Sequence, residues 1–284
     1  MEYTLNCNGR LLSLEEPRVM GILNATPDSF YAASRQQTEA EIAQRTRQIL
    51  EEGGSMIDVG ACSTRPDATP ATEQEEMERL RLALAIVRKE APDAIVSVDT
   101  FRPDVARMVV EEYGADIIND VGGPLSPDFN GHNASLSKGE QPMFRMVSRL
   151  RVPYIYMSRK ATMKDILLDC AEAVDALRSM GQKDIVLDPG FGFGKTLEDN
   201  YEVMQRLEQM QMTKLPVLVG ISRKSMIYRL LGCSQEEALN GTTVLNTMAL
   251  LKGASILRVH DVKEAVEAVR IVTEAMPQLT PNKE

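Results

Sequence analysis

The sequence predicts one (β/α)8 barrel preceded by a short hairpin, and three observations lead there. Eight short, apolar, β-rich runs alternate with segments of helical periodicity. The alternation continues along the 284 residues without a composition shift or linker. Eight such repeats over roughly 250 residues match a closed parallel barrel. No glycine fingerprint follows the first run, which leaves the open, doubly wound sheet as the weaker alternative.

The elements follow in order. Asn8-Gly9 lies between YTLN and LLSL, two short alternating runs, and predicts a hairpin. The strand candidates are RVMGIL (18–23), SMIDVG (55–60), AIVSV (94–98), DIIN (116–119), VPYIYM (152–157), DIVLD (184–188), PVLVG (216–220) and SILRV (255–259). Between them, ERLRLALAIVRKE (78–90) places Leu80, Leu84 and Val87 on one helical face. VKEAVEAVRIVTEAM (262–276) does the same with Val262, Val266, Val269 and Val272 or Thr273. Residues 122–142, rich in Gly, Pro, Ser and Asn, read as a mobile surface insertion that contains His132.

Composition narrows the function. A net charge of −9 argues against nucleic acid, whose phosphates call for a basic face, yet leaves room for a small anionic substrate at a locally basic site. Cys7, Cys62, Cys170 and Cys233 are scattered, without metal-ligand spacing, and read as reduced thiols of a cytoplasmic protein. The N-terminus lacks the basic and apolar regions of a signal peptide, and no apolar run approaches the roughly 20 residues of a membrane span.

Chemistry in such a barrel gathers where strands end. Those positions hold Asn24; Ser63-Thr64-Arg65; Asp99; Asn119-Asp120; Ser158-Arg159; Asp188; Ser222-Arg223-Lys224; and Arg258 with His260. Asp99 serves equally well as a helix cap or as a ligand-binding carboxylate. Asp188 precedes a proline and a glycine-rich turn, which favours a ligand. Arg258 and His260, two residues apart, face the same way if the strand continues, as an anion site would need. DPGFGFGKT (188–196) ends like a phosphate-binding loop, but its first glycine position is Pro189, which has no N–H. Lys195 is open to a bland reading as a charged residue before a helix.

MGILNATPDSF (20–30), ACSTRP (61–66), SVDT (97–100), INDVGG (118–123), DPGFGFGKT, LVGISRKSMI (218–227) and LRVHDV (257–262) together resemble the dihydropteroate synthase family. The resemblance runs in order from about residue 18 to residue 275, nearly the whole chain. It implies a single pterin-binding barrel over residues 1–284 that is a cytoplasmic homodimer. It also implies a transferase of folate biosynthesis that joins p-aminobenzoate to 6-hydroxymethyl-7,8-dihydropterin pyrophosphate and is a target of sulfonamides. Carried over position by position, Asp99, Asn119, Asp188 and Lys224 bind the pterin. Asn24 is a Mg2+ ligand, with Thr64, Arg258 and His260 around the phosphates. Phe193 packs beside p-aminobenzoate, and Ser222 and Lys224 match the end of the site that receives it, under a loop carrying Arg65 and Pro66. Phe30, on a second mobile loop, and Gly220 are further substrate-binding positions. In the family the C–O bond breaks first, and the aromatic amine attacks the resulting pterin methylene cation.

The chain departs from the family in places. MSRKATM (157–163) stands where a His-Met pair and a Gly-Thr-Pro turn are common. Cys62 replaces a usual glutamate, Asp67 a glycine and Ala25 a valine. The alternatives are a methyltetrahydrofolate-type methyltransferase, disfavoured by TPDSF, STRP and SRK, and a non-catalytic pterin-binding paralogue.

Overall fold

In the computed structural model, residues 3–25, 35–62, 71–122 and 136–276 are described. The chain opens with an antiparallel hairpin, β1 (Thr4–Cys7) and β2 (Arg10–Ser13), in which Cys7 faces Arg10. Asn8 and Gly9 have φ of 51° and 86°, so both central residues are left-handed, as the tightest hairpin turn requires.

Eight parallel strands follow: β3 (Arg18–Asn24), β4 (Met56–Gly60), β5 (Val96–Asp99), β6 (Ile117–Asp120), β7 (Tyr154–Met157), β8 (Ile185–Asp188), β9 (Leu218–Val219) and β10 (Ile256–Val259). Each overlaps its predicted run; β3, β5 and β6 extend one residue past it, to Asn24, Asp99 and Asp120, and β9 keeps only two residues of PVLVG. The sheet order is β8-β7-β6-β5-β4-β3-β10-β9, and a parallel bridge from Leu187 to Val217 joins its two ends. The fold is a (β/α)8 barrel with an N-terminal hairpin.

The described helices are α1 (Arg35–Glu51), α2 (Glu73–Glu90), α3 (Pro103–Tyr113), α4 (Pro142–Leu150), α5 (Met163–Ser179), α6 (Leu197–Gln205), α7 (Ser225–Leu231), α8 (Leu239–Leu251) and α9 (Val262–Ala275). None is long and apolar enough to cross a membrane. Leu80, Leu84 and Val87 of α2 are fully buried, as their spacing predicts. On α9 the buried seam is Val262, Ala265, Ala268 and Val272, while Val266 and Val269 pack only partly against it. Small alanines occupy the line nearest the barrel, and the valines flank it.

Alternation along the strands separates two cores. Outward residues such as Val59, Val98, Tyr154 and Leu187 pack beneath the helices. Inward residues near the N-terminal strand ends include Met20, Met56, Ile117, Ile155, Val186, Leu218 and Ile256. They form a second cluster with Leu5, Cys7, Leu12 and Leu14 of the hairpin. The hairpin is thus a plug in the bottom of the barrel. Polar ties hold it there: Asn8 Nδ2 donates to Ala115 O at 3.1 Å, and Arg10 pairs with buried Asp116 at 2.8 Å.

Of the expected insertion, residues 123–135, with His132, lie outside the described residues. Its last part forms a 3-10 turn at Lys138–Glu140 and the start of α4 at Pro142. Lys138 Nζ pairs with Asp169 of α5 at 2.8 Å, and Tyr156 donates to the same carboxylate at 2.8 Å.

Candidate active site

Above the apolar plug, the barrel interior turns polar. Asp58 in β4 is completely buried; its Oδ2 accepts Arg258 Nε at 2.6 Å and Asn119 Nδ2 at 3.1 Å. Arg258 Nη2 donates to Asp99 Oδ2 at 2.8 Å, so one guanidinium bridges two carboxylates. Burial opposes the Arg258 charge, but Asp58 and Asp99 more than restore it and hold its pKa above the usual arginine value. Burial pushes the Asp99 carboxyl up, against the pull of Arg258. Asp99 is not a helix cap: α3 begins at Pro103, four residues on, after Arg102. Gly220 stands beside Arg258, where a Cβ would lie 3.8 Å from the arginine Cβ.

Asp58 belongs to the candidate site, and the strand-end reading missed it. Its signal was present as a lone carboxylate within SMIDVG, an otherwise apolar run. Asp58 Oδ1 and Asn119 Oδ1 are buried without a hydrogen-bond partner. Two bare acceptors in one layer are costly unless a ligand brings donors.

Asp188 ends β8, and its Oδ1 accepts the Gly190 N–H at 2.7 Å. Burial pushes this carboxyl up, opposed by Lys224. Lys224 donates to Phe191 O, and its ammonium lies 4.6 Å from the Phe193 ring centroid. Burial pulls that ammonium down to about 8, with Asp188 opposing.

The other two residues of Ser222-Arg223-Lys224 reach sideways to the loop after β10. Ser222 Oγ accepts the His260 backbone N–H at 3.1 Å and meets His260 Nδ1 at 3.1 Å. A hydroxyl donating to Nδ1 leaves the ring proton on Nε2. Burial, reinforced by Arg258, pulls the imidazole down to about 4, so it is neutral at pH 7. Arg223 forms a two-pronged pair with Asp261 at 2.9 and 2.8 Å, despite a left-handed φ of 54°.

Asn24 is exposed at the end of β3. A Cβ on Gly60 would lie 3.9 Å from Asn24 Oδ1 and 3.8 Å from Asp99 Oδ2, so both oxygens border the same side of this glycine. Hard oxygen donors of this kind suit Mg2+, which takes one or two protein ligands and completes its shell with water and phosphate. No cluster of three His, Cys, Asp or Glu side chains offers a full cage among the described residues.

The structure therefore brings together Asn24, Asp99, Asn119, Asp188, Phe193, Gly220, Ser222, Lys224, Arg258 and His260. Phe30, Thr64, Arg65 and Pro66 lie outside the described residues, as does Asp67. Cys62 is half-buried, and burial raises its thiol pKa. At the departure after β7, Ser158 is buried, while Arg159 keeps Nε and Nη2 buried without a partner.

A closed parallel barrel with carboxylates, an amide, an arginine and Lys224 converging at its C-terminal mouth defines a barrel enzyme for a small ligand that is both hydrogen-bonding and anionic. Residues 20–260 match the family model described as pterin binding enzyme. The dihydropteroate synthase of Escherichia coli K12 is 34% identical over 285 residues, covering 98% of each chain. That of Clostridium beijerinckii is 35% identical over 266 residues, covering 90% of this chain and 93% of its own. The structure of Xanthomonas albilineans dihydropteroate synthase with 4-aminobenzoic acid superposes with a TM-score of 0.85 at 32% identity, over 97% of this chain and 99% of that one. A Yersinia pestis dihydropteroate synthase with a sulfonamide drug gives 0.81 at 31% identity, over 97% and 100%. This chain belongs to the dihydropteroate synthase family of pterin-binding enzymes. It is an enzyme, a transferase of folate biosynthesis.

Proposed function

We propose that the protein joins p-aminobenzoate to 6-hydroxymethyl-7,8-dihydropterin pyrophosphate, giving 7,8-dihydropteroate and pyrophosphate. The observation that carries this reading is the pair of bare buried acceptors, Asp58 Oδ1 and Asn119 Oδ1, in a mouth that also holds Asp188. A pterin presents an edge of N–H donors that a carboxylate accepts in parallel. Asp99, Asn119 and Asp188 then hold the pterin, with Lys224 against its polar rim.

The C–O bond to the pyrophosphate breaks, and its electron pair leaves with the phosphate. The aniline nitrogen of p-aminobenzoate supplies the pair for the new C–N bond and loses its proton to solvent. No side-chain nucleophile is needed, because the residues position and stabilise. His260 supplies a neutral Nε2–H donor toward the pyrophosphate, beside Arg258, and Thr64 is a further phosphate-binding position by family resemblance. Arg258, already shared by Asp58 and Asp99, mainly fixes the two carboxylates. Asn24 would hold Mg2+, which when bound offsets charge on the leaving group. Phe193, Gly220, Ser222 and Lys224 form the p-aminobenzoate end, with Phe30, Arg65 and Pro66 on the closing loops.

A homodimer belongs to the same reading. Leu230 and Leu231 of α7, and Val244, Met248 and Leu251 of α8, leave an exposed apolar surface that a second copy would cover. A cytoplasmic location fits four cysteines that are all free. The test is turnover of the two substrates with Mg2+: formation of dihydropteroate supports the reading, and pterin binding without turnover would make the chain a binding paralogue.

A further inference from the structure

The lysine that completes Gly194-Lys195-Thr196 plays no part in the scheme above. Its side chain turns back on its own loop: Nζ donates to Gly190 O at 2.8 Å and to Phe193 O at 3.4 Å. The loop needs such a tie. Gly190, Gly192 and Gly194 all have positive φ, and among the described residues the only backbone–backbone bond within 189–195 is Phe193 N–H to Gly190 O, at 3.2 Å. Side chains supply the rest. Asn200 Oδ1 accepts the Gly192 N–H at 2.7 Å, and Lys224 donates to Phe191 O. Two lysines therefore grip one glycine-rich loop, Lys195 through carbonyls 190 and 193 and Lys224 through carbonyl 191.

We propose that Lys195 is a positioning residue for Phe193. By holding the Gly190 and Phe193 carbonyls together it stands the aromatic ring beside Lys224, and so shapes the p-aminobenzoate end of the site. The inference deepens the function proposed above and rests on it for the place of Phe193. Burial pulls the Lys195 ammonium down to about 8, opposed by Asp188 of β8, Asp199 of α6 and Asp169 and Cys170 of α5. A lysine that merely opened a helix would stay in water and meet no such penalty.

Lys195→Met keeps the aliphatic stem and removes both donations. The expected result is a KM for p-aminobenzoate raised about tenfold, the low end for losing hydrogen bonds from a charged donor. Calorimetric affinity for the pterin pyrophosphate should stay within about twofold of the parent. Lys195→Arg keeps the cation and should raise KM only about threefold. In a Phe193→Ala background, Lys195→Met should add nothing, because both act through one contact. An unchanged KM, an equal loss of both affinities, or full additivity with Phe193→Ala would overturn the proposal. Should Lys195→Met fail to fold by circular dichroism, Lys195→Arg decides alone: a raised KM with intact pterin affinity supports the idea, and an unchanged KM ends it. If the parent protein itself lacks turnover, the functional reading fails instead.

Discussion

At the scale of single residues, the site combines charges that burial resists with acceptors that await donors. Asp188→Asn replaces a carboxylate oxygen with an amide donor facing the pterin N–H groups. A mismatched buried donor costs about 1–3 kcal/mol, so calorimetry should show roughly ten- to a hundredfold weaker pterin binding. His260 gives a pH signature. It titrates near 4 when folded, against an ordinary value near 6.5 in the unfolded chain. Between those limits the unfolded chain binds more protons. The neutral imidazole's contribution to stability is therefore complete above about 6.5 and is lost as pH falls toward 4. His260→Gln should flatten the stability slope across that window, as measured by urea unfolding at stepped pH. Strand-end polarity made Asp99, Asn119, Asp188 and Arg258 legible in the sequence. It did not reveal that Arg258 is held by Asp58, because the partners are 200 residues apart and only barrel closure makes them neighbours.

At the scale of elements, the loop after β8 is held against backbone by a severe steric demand. Gly190 has φ of 71°, and a Cβ there would lie 2.2 Å from the Ser158 carbonyl oxygen. Gly190→Ala should therefore strain the backbone and push β8 from the segment after β7. Pterin affinity and thermal midpoint should fall together, which calorimetry and thermal unfolding would show. The eight strands were legible from apolar runs bounded by polar ends, and Asn8-Gly9 announced its turn. On α9 Val262 and Val272 were legible but the middle of the seam was not, because hydrophobic periodicity favours the bulky Val266 and Val269, whereas close approach to the barrel favours Ala265 and Ala268. The reach of Arg223 to Asp261 was equally hidden, since SRK and HDV become adjacent only when β9 pairs with β10.

At the scale of the whole molecule, function occupies one end of the barrel and stability the other. Chelating Mg2+ should stop turnover and weaken pterin pyrophosphate binding, and Asn24→Ala should mimic this; undiminished rates in chelator would exclude a metal role. p-Aminobenzoate should bind appreciably only once pterin and pyrophosphate are in place, with sulfonamides competing for the same pocket, as equilibrium dialysis and inhibition kinetics would show. The hairpin at the opposite end has a consequence in time. It is synthesised before every strand it packs against, including β9 and β10, which supply Leu218 and Ile256. Until those strands exist, Leu5, Leu12 and Leu14 lack a complete seat. Residues 3–14 are a stopper made before its bottle, and their apolar side chains stay uncovered until the last barrel strands arrive.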